Sequence, residues 1–219
     1  MSVHENLVDV GEKIAAAARA AGRDPSTVTL LAVSKTVPAE RVREAMRAGQ
    51  SLFGENYAQE LRDKARELEG ARWHFLGPLQ RNKVKYVVGV AELIHSVDSL
   101  ALLDEIAARA DKVGVVQRCL VQVNVGDEPQ KSGCARGDVP ALVRAFAARS
   151  SVRCEGLMCI PPDGAPPRPF FDNLAKLAAA EGLRTLSMGM SGDYAEAIAA
   201  GATIVRVGTA IFGAREKKA

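Results

Sequence analysis

The feature that most constrains the fold is a regular alternation of short apolar segments with longer amphipathic ones. The apolar segments are rich in branched side chains, which is typical of strands buried on both faces of a parallel sheet. They cover residues 28–33, 51–53, 73–76, 92–95, 115–123, 153–158, 185–187 and 203–207. Between them the spacing predicts helices over 38–49, up to Leu68, and over 80–87, 98–112, 139–149, 168–180 and 193–200.

Strict alternation of strand and helix implies parallel strands joined by right-handed crossovers. Eight such units in 219 residues favour a closed barrel, because an open doubly wound sheet usually has fewer strands. We therefore predict an α/β protein with a single (β/α)8 (TIM) barrel domain over residues 1–219. An amphipathic helix over 3–21 precedes its first strand.

Charge and composition exclude several classes of partner. The net charge is only +3, and basic residues alternate with acidic ones in segments such as 40–44 and 62–67. This pattern is typical of solvated helix faces rather than of a nucleic-acid surface. No stretch approaches the ~20 apolar residues that cross a membrane, and the charged N-terminal segment is unlike a signal peptide. We expect a cytoplasmic protein with no nucleic-acid or membrane partner.

The four cysteines form no CxxC pair and have no Cys/His spacing for zinc, so no metal site is predicted.

Polar residues collect where the predicted strands end, which is where barrels of this kind place their sites. Ser191 stands between glycines before a helix, and Gly208-Thr209 follows the last strand. Free backbone N–H groups and hydroxyls at such positions bind phosphate. The alternative is that both segments are only caps and turns. Because the loops after strands seven and eight are a recurrent phosphate site in barrels, we favour phosphate.

Lys35 follows the first strand, where low-dielectric walls can make its amine nucleophilic. A salt bridge to a neighbour such as Glu55 is the alternative. A lysine beside a phosphate cradle suits a Schiff base with pyridoxal 5′-phosphate (PLP), but also an aldolase or a phosphosugar site. Arg206 could face the phosphate, a pyridine nitrogen or a strand-end carboxylate.

His74 and His95 are interpreted as hydrogen-bonded structural residues, and Met158 as core filling or as an apolar wall for a ring.

These residues also carry a resemblance. The chain resembles the pyridoxal phosphate homeostasis protein family in many ordered segments between about residues 30 and 213. They are AVSKT (32–36), FGENY (53–57), WHFLGPLQRNK (73–83), HSVDS (95–99), QVN (122–124), KSG (131–133), GLM (156–158), LSMGMSGDY (186–194) and VRVGTAIFG (205–213). The one visible departure is the loop over 161–169, which is shorter and richer in proline than is usual in the family.

The resemblance implies a fold-type III PLP barrel similar to the N-terminal domain of alanine racemase. It implies that Lys35 carries PLP as a Schiff base and that Arg206 approaches the pyridine nitrogen. Ser191, Gly208 and Thr209 would hold the phosphate, and Asn56 would lie near the cofactor. His74, Asn124 and Met158 are weaker candidates for pocket lining.

The family lacks the second, β-domain of the racemases, and this chain ends a few residues after its last strand, so we expect none here.

Three readings remain open at this point. The first is a monomeric PLP carrier in vitamin B6 homeostasis, with PLP-dependent apoenzymes as candidate partners and no strong catalytic activity. The second is a single-domain racemase or lyase of low activity. The third is a phosphosugar enzyme without PLP, which would need an acid/base pair such as Glu55 and His74.

Overall fold

The computed structural model describes residues 2–213 and shows the predicted closed, parallel eight-stranded barrel. The strands run β1 Thr29–Val33, β2 Leu52–Glu55, β3 Arg72–Phe75, β4 Leu93–Val97, β5 Gln117–Gln122, β6 Val152–Met158, β7 Thr185–Ser187 and β8 Ile204–Val207. Each strand pairs with its sequence neighbours, and β1 closes the ring on β8. Of the predicted range 1–219, Met1 and residues 214–219 lie outside the described residues.

Eight α-helices occur in the described part of the chain, most of them on the outside of the barrel. They are α1 Val3–Ala20, α2 Ala39–Arg47, α3 Ala58–Glu67, α4 Leu100–Val113, α5 Val139–Ala147, α6 Arg168–Ala180, α7 Tyr194–Ala199 and α8 Thr209–Phe212. Helix α1 begins with a capping box between Ser2 and Glu5. Its apolar face, with Val10 and Ile14, joins the core between barrel and helices.

Two elements differ from the predictions. Residues 80–87 do not form an α-helix; Arg81–Tyr86 is a 3-10 helix that begins without a side-chain cap at Gln80, and such helices are frequent as connectors. Helix α8, which was not predicted, begins at Thr209 directly after β8. A four-residue helix is too short to show an amphipathic period in a sequence.

The barrel axis is filled by an apolar cluster that alternate strand residues supply. Its buried members are Leu31, Leu52, Leu76, Leu93, Leu120, Met158 and Ile204. A larger cluster packs between the strands and the helices. The barrel is therefore a packed core, and its free space lies at the strand ends.

Within residues 2–213, no helix is both long and apolar enough to span a bilayer. The same residues contain no group of three or more His, Cys, Asp or Glu side chains that could hold a metal ion.

Candidate functional site

A cavity of about 270 Å³ opens at the carboxyl ends of the strands. We call it the mouth cavity. All seven residues that the sequence singled out for the cofactor line it: Lys35, Asn56, Met158, Ser191, Arg206, Gly208 and Thr209. Val33, Leu76 and Ile160 add apolar walls. His74 and Asn124 are not among its lining residues, so the structure does not place them in the pocket.

The backbone on either side of Lys35 is fixed by buried polar contacts. The Ser34 N–H donates to the Gly54 carbonyl at 2.9 Å, and the Ser34 hydroxyl donates to Glu55 Oε1 at 2.7 Å. Lys64 Nζ donates to the Ser34 carbonyl at 2.6 Å. Every polar group of Ser34 is therefore hydrogen-bonded. These bonds fix the backbone position from which the Lys35 side chain extends.

The residue after Lys35 has an unusual backbone conformation. Thr36 has φ +62°, in the left-handed region that costs a β-branched residue free energy. Its N–H donates to Glu60 Oε1 at 2.7 Å, and the Val37 N–H closes a turn on the Ser34 carbonyl at 3.0 Å. The chain thus turns sharply at Lys35, and the side chain of Glu60 helps to hold the turn.

Glu55 is held by Lys64 and Ser34. Lys64 Nζ lies 2.7 Å from both Glu55 Oε1 and Glu60 Oε1, and Lys64 and Glu55 are buried. Burial raises the pKa of Glu55 to about 7, although the positive charge of Lys64 opposes the shift. Sequence reasoning missed Lys64. Its signal was its position three residues after Leu61 and six after Ala58, at the spacing of the buried face of α3.

The two predicted phosphate segments lie on the same side of the cavity. Ser191 and Gly192 come from the β7–α7 loop, and Gly208 is the N-cap of α8, which begins at Thr209. The N–H groups of Ile211 and Phe212 donate to the Gly208 carbonyl, so the earlier N–H groups of this turn are the donors that a ligand could use. The β7–α7 loop folds tightly because Gly189 has φ +89°, and a Cβ there would lie 2.6 Å from the Ala197 Cβ. Backbone donors and two hydroxyls can therefore surround one anion here.

Arg206 is a buried cation in the wall of the mouth cavity. Its guanidinium donates to the Ser187 carbonyl at 2.6 Å, the Ser187 hydroxyl at 2.9 Å and the Cys159 carbonyl at 2.9 Å. No carboxylate among the described residues forms an ion pair with it, so the predicted alternative of a strand-end ion pair is wrong. Burial lowers the pKa of Arg206, but a guanidinium remains protonated in proteins.

A chain of hydrogen bonds leads from Arg206 into the barrel. The Ser187 Oγ lies 2.8 Å from His95 Nδ1, and His95 Nε2 lies 2.9 Å from His74 Nδ1. Burial lowers the pKa of His74 to about 4 and lowers that of His95 well below its ordinary value, so both rings are neutral at neutral pH. We call this Arg206–Ser187–His95–His74 series the axial chain. Glu55 and His74 therefore belong to different networks, and the acid/base pair of the phosphosugar reading is not formed.

Asn56 lines the mouth cavity, and its backbone packs closely against Gly77. A Cβ on Gly77 would lie 2.1 Å from the Asn56 carbonyl oxygen, so only glycine allows the β3 exit to pack there. Lysine, buried arginine, hydroxyls, backbone donors and apolar walls together form a donor set that fits a small aromatic phosphate such as PLP.

Comparison with known proteins agrees with this geometry. The family model of the alanine racemase N-terminal domain matches residues 9–216. The pyridoxal phosphate homeostasis protein of Pseudomonas aeruginosa is 47% identical over 98% of this chain and 96% of its own length. The pyridoxal phosphate homeostasis protein of Escherichia coli K12 is 42% identical over 98% of this chain and 97% of its own length.

This chain belongs to the pyridoxal phosphate homeostasis protein family.

Solved structures support the same assignment. PipY of Synechococcus elongatus with PLP bound has a TM-score of 0.82 and 35% identity, with 97% of this chain and all of PipY covered. An alanine racemase from Streptomyces lavendulae has a TM-score of 0.72 at 20% identity. The match covers 97% of this chain and 57% of the racemase chain. The racemase comparison shows that this chain shares the fold of the racemase barrel.

Proposed function

We propose that this protein binds PLP in the mouth cavity and serves vitamin B6 homeostasis, without strong catalytic activity of its own. The observation that carries the proposal is the meeting of Lys35, Arg206 and two phosphate-type loops in one cavity of about 270 Å³. The names of the relatives and the PLP bound to PipY support it.

Lys35 is the proposed attachment point. Its Nζ would condense with the aldehyde of PLP to form a Schiff base, with a C=N bond made and water released. Bound PLP supplies that aldehyde and an electron-withdrawing ring. The protein supplies an amine held at a fixed turn by Ser34, Thr36 and Glu60.

The other six residues would orient the cofactor. Ser191, Gly208 and Thr209 would donate hydrogen bonds to the phosphate, and Arg206 would donate to the pyridine nitrogen. Because Arg206 stays protonated, that nitrogen would remain an acceptor, which weakens the ring as an electron sink. Asn56 and Met158 would contact the sides of the cofactor.

Four further properties are proposed from the sequence alone: a single domain, a monomeric state, a cytoplasmic location, and PLP-dependent apoenzymes as recipients of the cofactor.

The decisive experiment is the visible absorbance spectrum after PLP is added and the excess removed. Wild-type protein should keep a Schiff-base band, and borohydride should fix the adduct on Lys35, where peptide mapping locates it. Lys35→Ala should lose the band. Lys112→Ala, which removes an exposed lysine of α4, is the matched control and should keep it. A wild-type spectrum without the band, or an adduct on another lysine, would refute the Lys35 assignment.

A further inference from the structure

A second, larger cavity of about 630 Å³ lies on the outer wall of the barrel. It is bounded by α3, the 3-10 helix at Arg81–Tyr86 and the last part of α4. It shares no lining residue with the mouth cavity. We call it the basic cavity, and its polar and aromatic lining residues are Arg62, Arg66, Trp73, Lys85, Tyr86 and Arg109.

Positive side chains converge on this cavity without matching acids. Its lining contains four cations and no carboxylate. Arg62 pairs with Asp63 at 2.7 Å, but Arg66, Lys85 and Arg109 form no ion pair within residues 2–213. Like charges gathered on a concave wall repel one another and produce a strong local positive potential. An anion in the cavity would relieve that repulsion.

The ring of Tyr86 holds several of these charges in place. Arg62 Cζ lies 4.9 Å from the ring centroid, Lys85 Nζ 5.2 Å and Lys83 Nζ 5.8 Å. Each distance is within the range of a cation–π interaction. These cations are therefore grouped by a shared aromatic face and are not scattered over the surface.

Two buried donors in the cavity wall have no hydrogen-bond acceptor. The indole Nε1 of Trp73 and the Nε of Arg109 are both buried, and neither finds a partner among the described residues. Trp73 as a whole is only 3% exposed. Leaving such a group unsatisfied is destabilising, so native proteins rarely do so without a reason. Both groups belong to residues that line the cavity, so an acceptor that enters between them is the partner that the protein itself does not supply.

We propose that the basic cavity is a second anion site that binds a small oligophosphate. Guanidinium groups recognise phosphate through paired donors, and three of them together with the Lys85 ammonium group suit a ligand with more than one phosphate group. The phosphates can belong to a nucleotide or to an inorganic chain, because the chemistry of recognition is the same. The site is independent of the PLP cavity and of Lys35.

Trp73 makes the site directly observable because it is the only tryptophan of the chain. Tripolyphosphate is titrated into the full-length, PLP-loaded protein, and binding is followed by tryptophan fluorescence and by calorimetry. We expect saturable binding with one site per chain. Lys85→Gln and Arg109→Gln should each raise the Kd by about tenfold, which is ~1.4 kcal/mol. Lys112→Gln removes the same charge from α4 outside the cavity and should change the Kd by less than about twofold.

Trp73→Phe tests the indole donor separately, because it keeps an aromatic ring and loses the N–H. Calorimetry should show weaker binding with an unchanged PLP spectrum. A parallel titration with ATP shows which kind of oligophosphate the cavity binds. If ATP binds as tightly as tripolyphosphate, the ligand is a nucleotide. If only tripolyphosphate binds, the ligand is an inorganic phosphate chain. The Lys35→Ala variant should still bind tripolyphosphate in the basic cavity. A failure of the PLP proposal would therefore appear in the absorbance spectrum and not in this titration. Absence of saturable binding, or equal weakening by Lys112→Gln, would overturn the inference.

Discussion

At the scale of single residues, the side chains that prepare Lys35 are as informative as Lys35 itself. Lys64 reaches from α3 to the Ser34 carbonyl and to two carboxylates, so one ammonium group links β1, β2 and α3. A buried ion pair contributes little net stability, but removing one partner leaves the other charge buried. Lys64 is therefore a positioning residue whose loss should be visible in folding before it is visible in cofactor binding.

We expect Lys64→Met to lower the free energy of unfolding by about 3–5 kcal/mol at pH 8, where the Glu55 carboxyl is charged. The loss should shrink at pH 5, because Glu55 without Lys64 is then protonated and neutral. Urea denaturation at the two pH values measures both effects. The double variant Lys64→Met/Glu55→Gln is the control and should recover much of the stability at pH 8. If it is as unstable as Lys64→Met, the unpaired carboxylate is not the cause.

The sequence predicted the site residues that directly follow strands, but it did not predict the residues whose hydrogen-bond partners lie in other elements. Lys35, Ser191 and Thr209 stand at strand exits, and the barrel topology alone brings such positions together. Lys64 and Ser187 were missed in their roles because their partners lie in other elements. A hydrogen bond between Ser187 and Arg206 depends on strand register, which a single sequence does not fix.

At the scale of elements, the strands fill the barrel axis with apolar side chains, except along the axial chain. There, β3, β4, β7 and β8 contribute His74, His95, Ser187 and Arg206 to one hydrogen-bonded series inside the barrel. The series begins at a cation in the mouth cavity and contains two neutral rings. Charge in the mouth cavity is therefore coupled electrostatically to groups deep in the barrel.

The two histidines predict how stability depends on pH. Burial lowers the folded pKa of His74 to about 4 from its ordinary 6.5, and it lowers the folded pKa of His95 well below the same ordinary value. Their contribution to stability is fully present above pH 6.5 and is lost as the pH falls through about 4, because the unfolded chain takes up the protons. Glu55, with its pKa raised to about 7, acts in the opposite direction: its contribution is present below about pH 4.5 and is lost as the pH rises through 7.

Variants separate the two contributions. We compare wild type with His74→Gln by urea denaturation between pH 7 and pH 4. The advantage of wild type should decline toward acid by up to ~1.4 kcal/mol per pH unit. His4→Gln, at an exposed position of α1, should show no such trend. A His74→Gln profile parallel to that of wild type would mean that the ring is not held neutral.

At the scale of the whole molecule, the mouth cavity offers acid/base chemistry from one residue only. Of the described residues that line it, Lys35 and Arg206 are the only ionisable ones, and Arg206 does not release its proton. Racemisation needs a proton donor and acceptor on both faces of the substrate. The cavity is therefore better suited to holding a cofactor than to inverting an amino acid.

We expect the PLP-loaded protein to leave L-alanine in its original configuration. In D₂O, proton NMR and chiral chromatography together follow exchange at the α carbon and formation of the D-isomer. Racemisation should not exceed the rate with the same concentration of free PLP. A rate that is well above this background and is lost in Lys35→Ala would instead establish the alternative, a single-domain racemase.

The closed ring of strands bears on the concentration at which the protein stays unaggregated. A carrier binds its ligand in proportion to its number of copies, so the proposed role favours a protein that does not self-associate at high concentration. Free strand edges are where protein molecules pair and aggregate. In this barrel each of the eight strands is paired on both sides, and β1 meets β8. The closure that seals the core thus also leaves neighbouring copies no open edge of this barrel on which to pair, which is the property that the proposed carrier would need at high copy number.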